Sequence, residues 1–322
     1  MNHRITPLTE GGLLAALTVI MALIAVYVPV LGAVAALLWP LPIIVLIVRH
    51  GMRWGVMAVL VAAALMAMLI EPTLSLRLVI GFGPVGLMLG YGYHRQWPAV
   101  RLFLATLFAA VLAQLAMLAV LFAITGINPL NLQVDALRES IQGSLDLYRD
   151  MHMDEAQIAQ TEQQLNQGLS LLMLLMPVVV LLMGLCDAFI NFLIAGRVLR
   201  RLGHPVAVFP PFAEWHLPRA FVYLFGFALV GMYWGGTRDV GPLYQAALNA
   251  NMLATLAGLL QGLALLHFFA QYKHLSKLLR GVILAFVLLN GMMTQILAFV
   301  GLFDMIFDYR RRFRQRSDHD VK

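Results

Sequence analysis

One uninterrupted run decides the fold class: LFLATLFAAVLAQLAMLAVLFAITG, from Leu102 to Gly126, contains no charged residue. A helix needs about 20 apolar residues to cross the hydrocarbon core of a bilayer. This run is long enough, and its only polar side chains are those of Thr106, Gln114 and Thr125. It therefore predicts a membrane-spanning helix, and the rest of the chain repeats the pattern.

The composition of the whole chain agrees with this starting point. Of 322 residues, 61% are hydrophobic and only 12% are charged, whereas soluble domains carry about 25% charged residues. No soluble core of this size needs so much apolar surface. The sequence therefore predicts an all-α, polytopic transmembrane helical bundle and excludes an ordinary soluble globular protein.

Nine apolar segments are candidates for membrane helices: Gly12–Val28, Ala33–Val48, Trp54–Ile70, Leu78–Tyr93, Leu102–Gly126, Leu169–Ala195, Ala220–Gly236, Ala246–Phe269 and Gly281–Phe303. The second segment holds Pro40 and Pro42, which remove backbone donors and predict a broken or tilted helix. Asn290-Gly291 is a second expected breaking point, in the middle of the last segment. We therefore predict eight or nine membrane segments.

Basic residues indicate the topology. Arginines and lysines cluster after the second, fourth, sixth and eighth segments, and all these loops are cytoplasmic if the N-terminus is cytoplasmic. Eight crossings plus a re-entrant segment place the arginine-rich C-terminus inside, which the positive-inside rule favours over nine crossings. A cleaved signal peptide ending near Gly32-Ala33 is an alternative for the first segment, but the membrane segments that follow favour an uncleaved helix.

The net charge of +6 does not indicate nucleic-acid binding, because the basic residues lie beside membrane segments, where lipid accounts for them. The pattern divides the chain into a membrane domain at 1–200, with an external loop at 127–168, and C-terminal membrane helices at 201–309. The latter domain includes an interfacial segment at 209–219, and a basic cytoplasmic tail follows at 310–322. Spacing of apolar residues in the external loop is typical of an amphipathic helical hairpin, and a solvated linker is the alternative.

Charged and polar side chains in apolar helices are expensive and therefore mark candidate functional residues. Asp187 and Asn191 lie four residues apart in the sixth segment, so they share one helix face. We predict that this pair and Arg77 contact a ligand, with an interhelical hydrogen bond as the alternative for the pair. Arg77 suits a carboxylate or phosphate, although Glu71 could instead pair with it across the short loop between them.

The last segment carries a regular polar pattern. Residues recur there at steps of three and four, which predicts one seam of mostly small and polar side chains for packing against another helix: Asn290, Thr294, Leu297, Gly301, Asp304 and Asp308. The helix dipole disfavours acids at a C-terminal end. We therefore expect local neutralisation, with Arg311 and Arg312 at helical spacing from Asp308, or neutralisation by the loop at 273–280.

Stripes of small residues allow close approach of helices. They occur at Gly86 and Gly90, at Ala254, Gly258 and Gly262, and at Gly12 and Ala16. Packing within one subunit accounts for such stripes, whereas Gly12 and Ala16 on the first helix could instead contact a partner helix.

Motifs of catalysis and metal binding are missing from the sequence. There is a single cysteine, Cys186, and there is no Walker motif, G-x-S-x-G or H-E-x-x-H. We therefore expect no enzyme activity, no metal and no cofactor, and any active transport would require an ATPase partner.

Two resemblances add to this interpretation. Residues 8–200, with a small-residue face in the first helix and a Gly-Pro-rich fourth segment, resemble the S components of energy-coupling-factor transporters. PPFAEWHLPR (Pro210–Arg219) and GLFDMIFDYRRR (Gly301–Arg312) are similar to C-terminal motifs of the YybS-like family. That family implies a protein of the bacterial inner (cytoplasmic) membrane, and it supplies no binding residues to carry over.

Two functions are consistent with these features. The first is a small-solute binding or transport subunit, with a transmembrane coupling protein and an ATPase as partners besides the lipid bilayer. The second is a membrane scaffold that recruits cytoplasmic partners through its basic loops and tail.

Overall fold

A computed structural model describes residues 7–126, 128–151 and 154–313, and in these ranges the chain is helical and forms no strand. The prediction of an all-α helical bundle is confirmed. The helices are α1 (Pro7–Tyr27), α2 (Pro29–Leu38), α3 (Leu41–His50), α4 (Met52–Leu69), α5 (Pro72–His94), α6 (Ala99–Thr125), α7 (Pro129–Asp150), α8 (Glu155–Leu174), α9 (Met176–Arg201), α10 (Ala220–Thr237), α11 (Gly241–Tyr272), α12 (Lys277–Leu289) and α13 (Gly291–Phe307).

Eight stretches in the described ranges are long and apolar enough to cross a membrane: α1, the stretch Val30–His50, α4, α5, α6, α9, α10 and α11. The pair α12 and α13 passes the same test only when taken together, and its two helices are bent by 103° at Asn290. The prediction of eight or nine membrane segments is confirmed, and so is the expected break at Asn290-Gly291.

The chain divides into two compact units. Unit 1 comprises Met1–Asn166 and Val179–Val208, and unit 2 comprises Gln167–Val178 and Phe209–Lys322. Unit 1 holds five complete candidate spans and nearly all of α9, whereas unit 2 holds α10, α11 and the bent pair.

The core of unit 1 forms around the interruption that the prolines predicted. A turn at Trp39-Pro40 separates α2 from α3, because Pro40 and Pro42 offer no backbone N–H for helical bonding. Trp39 and Ile47 are fully buried there and pack with α1 and α4. The interruption therefore places a large aromatic side chain inside the bundle.

Glycines on α5 permit close packing against α3. A methyl group on Gly86 would lie 3.2 Å from Pro40, and one on Gly90 would lie 2.8 Å from Ile47. The small-residue stripe at these two positions therefore serves packing inside the chain, as within-subunit packing predicts.

The loop predicted at 127–168 is folded mostly into two helices, α7 and the first part of α8. Leu145 and Ile158 are buried, and Arg149 forms ion pairs with Asp146 at 2.7 Å and with Glu162 at 3.7 Å. These contacts favour the helical hairpin over the solvated linker.

In unit 2, α10 and α11 are antiparallel neighbours. Near the end of α10, a methyl group on Gly235 would lie 2.6 Å from the Tyr244 amide nitrogen. Just before α10 begins, the Leu217 amide donates to Gln261 Oε1 at 2.9 Å. The last third of α11 therefore begins beside the segment that leads into α10.

Candidate functional site

Asp187 and Asn191 are in contact on α9, as their spacing predicted. Asn191 Nδ2 donates to Asp187 Oδ1 at 2.8 Å and to the Asp187 carbonyl oxygen at 3.0 Å. Asn191 is completely buried, and its Oδ1 atom has no hydrogen-bond partner among the described residues. Much of the polarity of this pair is therefore satisfied within one helix.

Arg77 lies far from that pair. Phe192, next to Asn191, stacks on Tyr93 with ring centroids 6.0 Å apart, and the Tyr93 hydroxyl donates to the Phe192 carbonyl oxygen at 3.2 Å. Arg77 precedes Tyr93 on α5 by 16 residues, a rise of about 24 Å along the helix. The three predicted ligand residues therefore do not form one site: Asp187 and Asn191 come together, and Arg77 lies near the other end of α5.

Arg77 has a buried polar atom that lacks a hydrogen-bond partner among the described residues. Its side chain is half-buried, and its Nε atom is buried without a hydrogen-bond acceptor in the ranges that the structure describes. Glu71 forms no ion pair with it in the structure, and the Glu71 carboxylate accepts a hydrogen bond from Thr73 Oγ1. Arg77 forms no ion pair with any residue that the structure describes. The alternative pairing of Glu71 with Arg77 is therefore wrong.

The small-residue face of α1 is not covered by any part of the chain that the structure describes. Ala15, Thr18, Val19 and Ala22 form the buried face of the helix. Gly12 and Ala16 are exposed, and a methyl group on Gly12 would meet no atom within 4 Å. Packing within the subunit thus does not account for these two positions, and contact with a partner helix stays a prediction.

The polar pattern of the last segment divides at the bend. The Asn290 side chain accepts from the Met293 amide at 3.1 Å and caps α13, and Thr294 Oγ1 donates to the Val287 carbonyl oxygen at 2.7 Å. Gly301 and Asp304, farther along α13, pack against α11. The proposed seam is therefore two features, a capped bend and a helix contact.

Asp304 is the centre of a buried polar cluster. It is completely inaccessible to solvent, and its Oδ2 atom accepts from Gln261 Nε2 at 2.6 Å and from Arg310 Nη2 at 3.4 Å. Its Oδ1 atom accepts from the Tyr309 amide at 3.0 Å. The acid at the C-terminal end of α13 is thus neutralised by a buried arginine.

Arg310 joins the two C-terminal motifs. Its Nη1 atom donates to the carbonyl oxygens of Ala213 at 2.6 Å and Trp215 at 2.8 Å. In the opposite direction, Arg219 Nε donates to the Met305 carbonyl oxygen at 3.3 Å. The segments PPFAEWHLPR and GLFDMIFDYRRR therefore contact each other directly, and we name the group Asp304, Arg310, Gln261, Ala213 and Trp215 the motif junction.

The partner of the acid differs from the predicted one. Arg311 and Arg312 stand at helical spacing from Asp308, but α13 ends at Phe307 and Asp308 adopts a left-handed conformation with φ 47°. This reversal turns Arg310 back towards Asp304, whereas the Asp308 carboxylate only accepts from the Arg311 amide, at 3.3 Å. Residues 309–313 are helical again, with Asp308 at their start, but in the described part of the chain neither Arg311 nor Arg312 forms an ion pair with it, and Arg312 lies over the Phe307 ring instead.

The predicted tail at 310–322 begins with a buried residue. Arg310 is 6% exposed, and residues 314–322 lie outside the described part of the chain. The recruiting role predicted for this tail stays a prediction. A truncation that tests it must leave Arg310 in place, because removing Arg310 also removes the ion pair of Asp304.

The predicted interfacial segment at 209–219 runs beside the last third of α11. Phe212 lies beside His267 with ring centroids 6.0 Å apart, and the Leu217 amide donates a hydrogen bond to Gln261.

In the described ranges no three His, Cys, Asp or Glu residues are grouped as a metal site would require.

Comparisons with known proteins agree with the second resemblance. Residues 16–305 match the model of a family described as "Predicted membrane protein (DUF2232)". The chain is also similar to the uncharacterized protein YybS of Bacillus subtilis (strain 168), with 26% identity over 315 residues, which cover 95% of this chain and 98% of YybS. The YybS-like resemblance is confirmed. No solved structure matches the chain, and the resemblance to S components stays a prediction.

Proposed function

We propose a function from the premise that this chain belongs to the DUF2232 family of predicted membrane proteins: it is a membrane-embedded subunit that binds a small anionic solute at Arg77. The description of the family names a predicted membrane protein and no activity, so solute binding goes beyond it. It keeps the solute-binding hypothesis from the sequence and moves its centre from Asp187 and Asn191 to Arg77.

One observation carries the proposal: the buried Nε atom of Arg77 has no acceptor. A charged side chain within a membrane segment is costly and usually faces a partner or a polar cavity. Arg77 has neither an ion pair nor an acceptor for Nε among the described residues. A carboxylate or phosphate would supply both, because the guanidinium fork binds such groups through two parallel hydrogen bonds.

The uncovered face of α1 supports a coupled subunit. Gly12 and Ala16 are exposed on a membrane helix, and small residues allow a second helix to approach closely. The sequence holds no Walker motif, so ATP-driven movement of the solute by this chain would require a separate ATPase, joined to it through a transmembrane coupling protein.

Replacing Arg77 tests the proposed site. We expect Arg77→Met to weaken binding of the solute by about 10- to 100-fold, since hydrogen bonds to charged groups contribute about 1.5–3 kcal/mol. Arg77→Lys should retain part of the affinity, because it keeps the charge and loses the fork. The measurement is the thermal shift of the purified protein in detergent, screened first against carboxylate and phosphate metabolites.

The matched control is Arg238→Met, which removes an exposed arginine from the end of α10. It should leave the thermal shift unchanged. The proposal is wrong if no anionic metabolite stabilises the protein, or if a stabilising metabolite acts equally on Arg77→Met.

A further inference from the structure

We propose that α12 and α13 form a re-entrant pair that enters and leaves the membrane on one side, with α12 embedded in a single leaflet and its basic start bound to anionic phospholipid headgroups. This inference concerns unit 2 alone and is independent of the proposed solute site.

The bent pair begins on the side of the membrane from which α10 starts. Since α10 and α11 are antiparallel and each crosses once, the end of α11 at Tyr272 lies on the side from which α10 starts. Helix α12 begins at Lys277, only a few residues later. The start of the bent pair is therefore on that side.

The end of the pair returns to the same place. Arg310 donates to carbonyl oxygens of Ala213 and Trp215, just before α10 begins. The Phe313 ring lies 4.8 Å from that of Phe269, close to the end of α11. A chain that had crossed between Lys277 and Arg310 would end on the opposite side of the bilayer. The contacts therefore require a return, so the bent pair adds no crossing to those of α10 and α11.

Helix α12 has the length and surface of an element that enters the membrane without crossing it. Its 13 residues span about 20 Å, against about 30 Å for the hydrocarbon core. None of its residues is buried against the protein, and Leu278 and Leu289 are 80% and 87% exposed. At the bend, the Met293 amide donates to the Asn290 side chain and the Val287 carbonyl oxygen accepts from Thr294 Oγ1. Polar backbone groups in lipid need such partners within the protein.

The charge at the start of α12 identifies the lipid. Lys273 and Lys277 are exposed, and Arg280 follows one turn into the helix. None of the three forms an ion pair with a residue that the structure describes. Basic residues beside a membrane surface attract anionic headgroups, and each basic residue strengthens binding of the lipid about fivefold.

Labelling of single cysteines tests the return. In a Cys186→Ser background, we expect an impermeant maleimide to reach Gln271→Cys and Arg311→Cys from the same side of membrane vesicles. Thr237→Cys, at the end of α10, should react only from the other side, and Leu289→Cys, within the leaflet, should react from neither. Labelling of Arg311→Cys from the side of Thr237→Cys would overturn the re-entrant topology.

Lipid binding tests the second part, with fluorescent phosphatidylglycerol and phosphatidylcholine as the probes in detergent micelles. The wild type should prefer phosphatidylglycerol. The triple variant Lys273→Gln, Lys277→Gln, Arg280→Gln should bind it about 100-fold more weakly, and Arg280→Lys, which keeps the charge, should bind normally. Arg238→Gln is the control and should also bind normally. Equal binding by the triple variant, or displacement of the lipid by excess inorganic phosphate, would contradict a headgroup site.

Discussion

Replacing Asp304 by Ala is expected to destabilise unit 2 by about 3–5 kcal/mol, because it leaves Arg310 buried without its carboxylate. The same change removes the acceptor of Gln261 Nε2 and of the Tyr309 amide. Asp304→Asn should cost less, since an amide oxygen still accepts one of these bonds. Thermal unfolding in detergent and the steady-state amount of protein in the membrane measure the effect.

Asp146→Ala is the matched control for this prediction. It breaks an Asp–Arg pair of the same chemistry, but its side chain is 66% exposed, and exposed pairs contribute only about 0–1 kcal/mol. The double variant Asp304→Leu, Arg310→Met should be more stable than Asp304→Ala, because it removes both buried charges together. If Asp304→Ala and Asp146→Ala unfold alike, the motif junction does not stabilise the protein.

Replacing Gly301 by Ala is expected to separate α11 from α13, with a loss of about 3 kcal/mol, the upper end of the usual cost of overpacking. The added methyl group would overlap the Gly258 carbonyl oxygen and would lie 2.5 Å from the Gly262 amide nitrogen. Both neighbours are backbone atoms, so no side chain can rotate away. Reduced thermal stability and increased proteolysis between α11 and α13 would measure the separation.

Gly226→Ala provides the control within the same unit. Gly226 also lies inside a membrane helix, but a methyl group there would meet nothing within 4 Å. We expect it to be neutral or slightly stabilising, because alanine is the better helix former by about 1 kcal/mol. A stable Gly301→Ala protein would mean that the close backbone contact of α11 and α13 can be relaxed cheaply.

Much of the architecture could be predicted because the bilayer imposes a length on every crossing helix. Apolar runs such as Leu102–Gly126 are recognisable for that reason. The breaks at Pro40 and at Asn290 could also be anticipated, because proline removes a helical hydrogen bond and both asparagine and glycine are weak helix formers. These are local properties of the chain, and the structure agrees with them.

The relations between distant residues could not be predicted in the same way. Spacing placed Asp187 beside Asn191, but nothing in the sequence located Arg77 relative to them. The partner of Asp304 depends on the reversal at Asp308, where a non-glycine residue adopts φ 47°. The contact of Arg310 with Ala213 joins residues 97 apart, and a single sequence carries no periodic signal over such a distance.

The motif junction has a consequence for the order of synthesis. Ribosomes add about 5–20 residues per second, so Gln261 is made roughly 2–10 seconds before Arg310, and Trp215 roughly 5–20 seconds before it. During this interval α10 and α11 can already be inserted by the translocon while the amide of Gln261 still lacks its carboxylate. Unit 2 can therefore mature only after its last helix emerges. In a nascent chain stalled before Asp304, the Gln261 Nε2 group would lack its carboxylate acceptor.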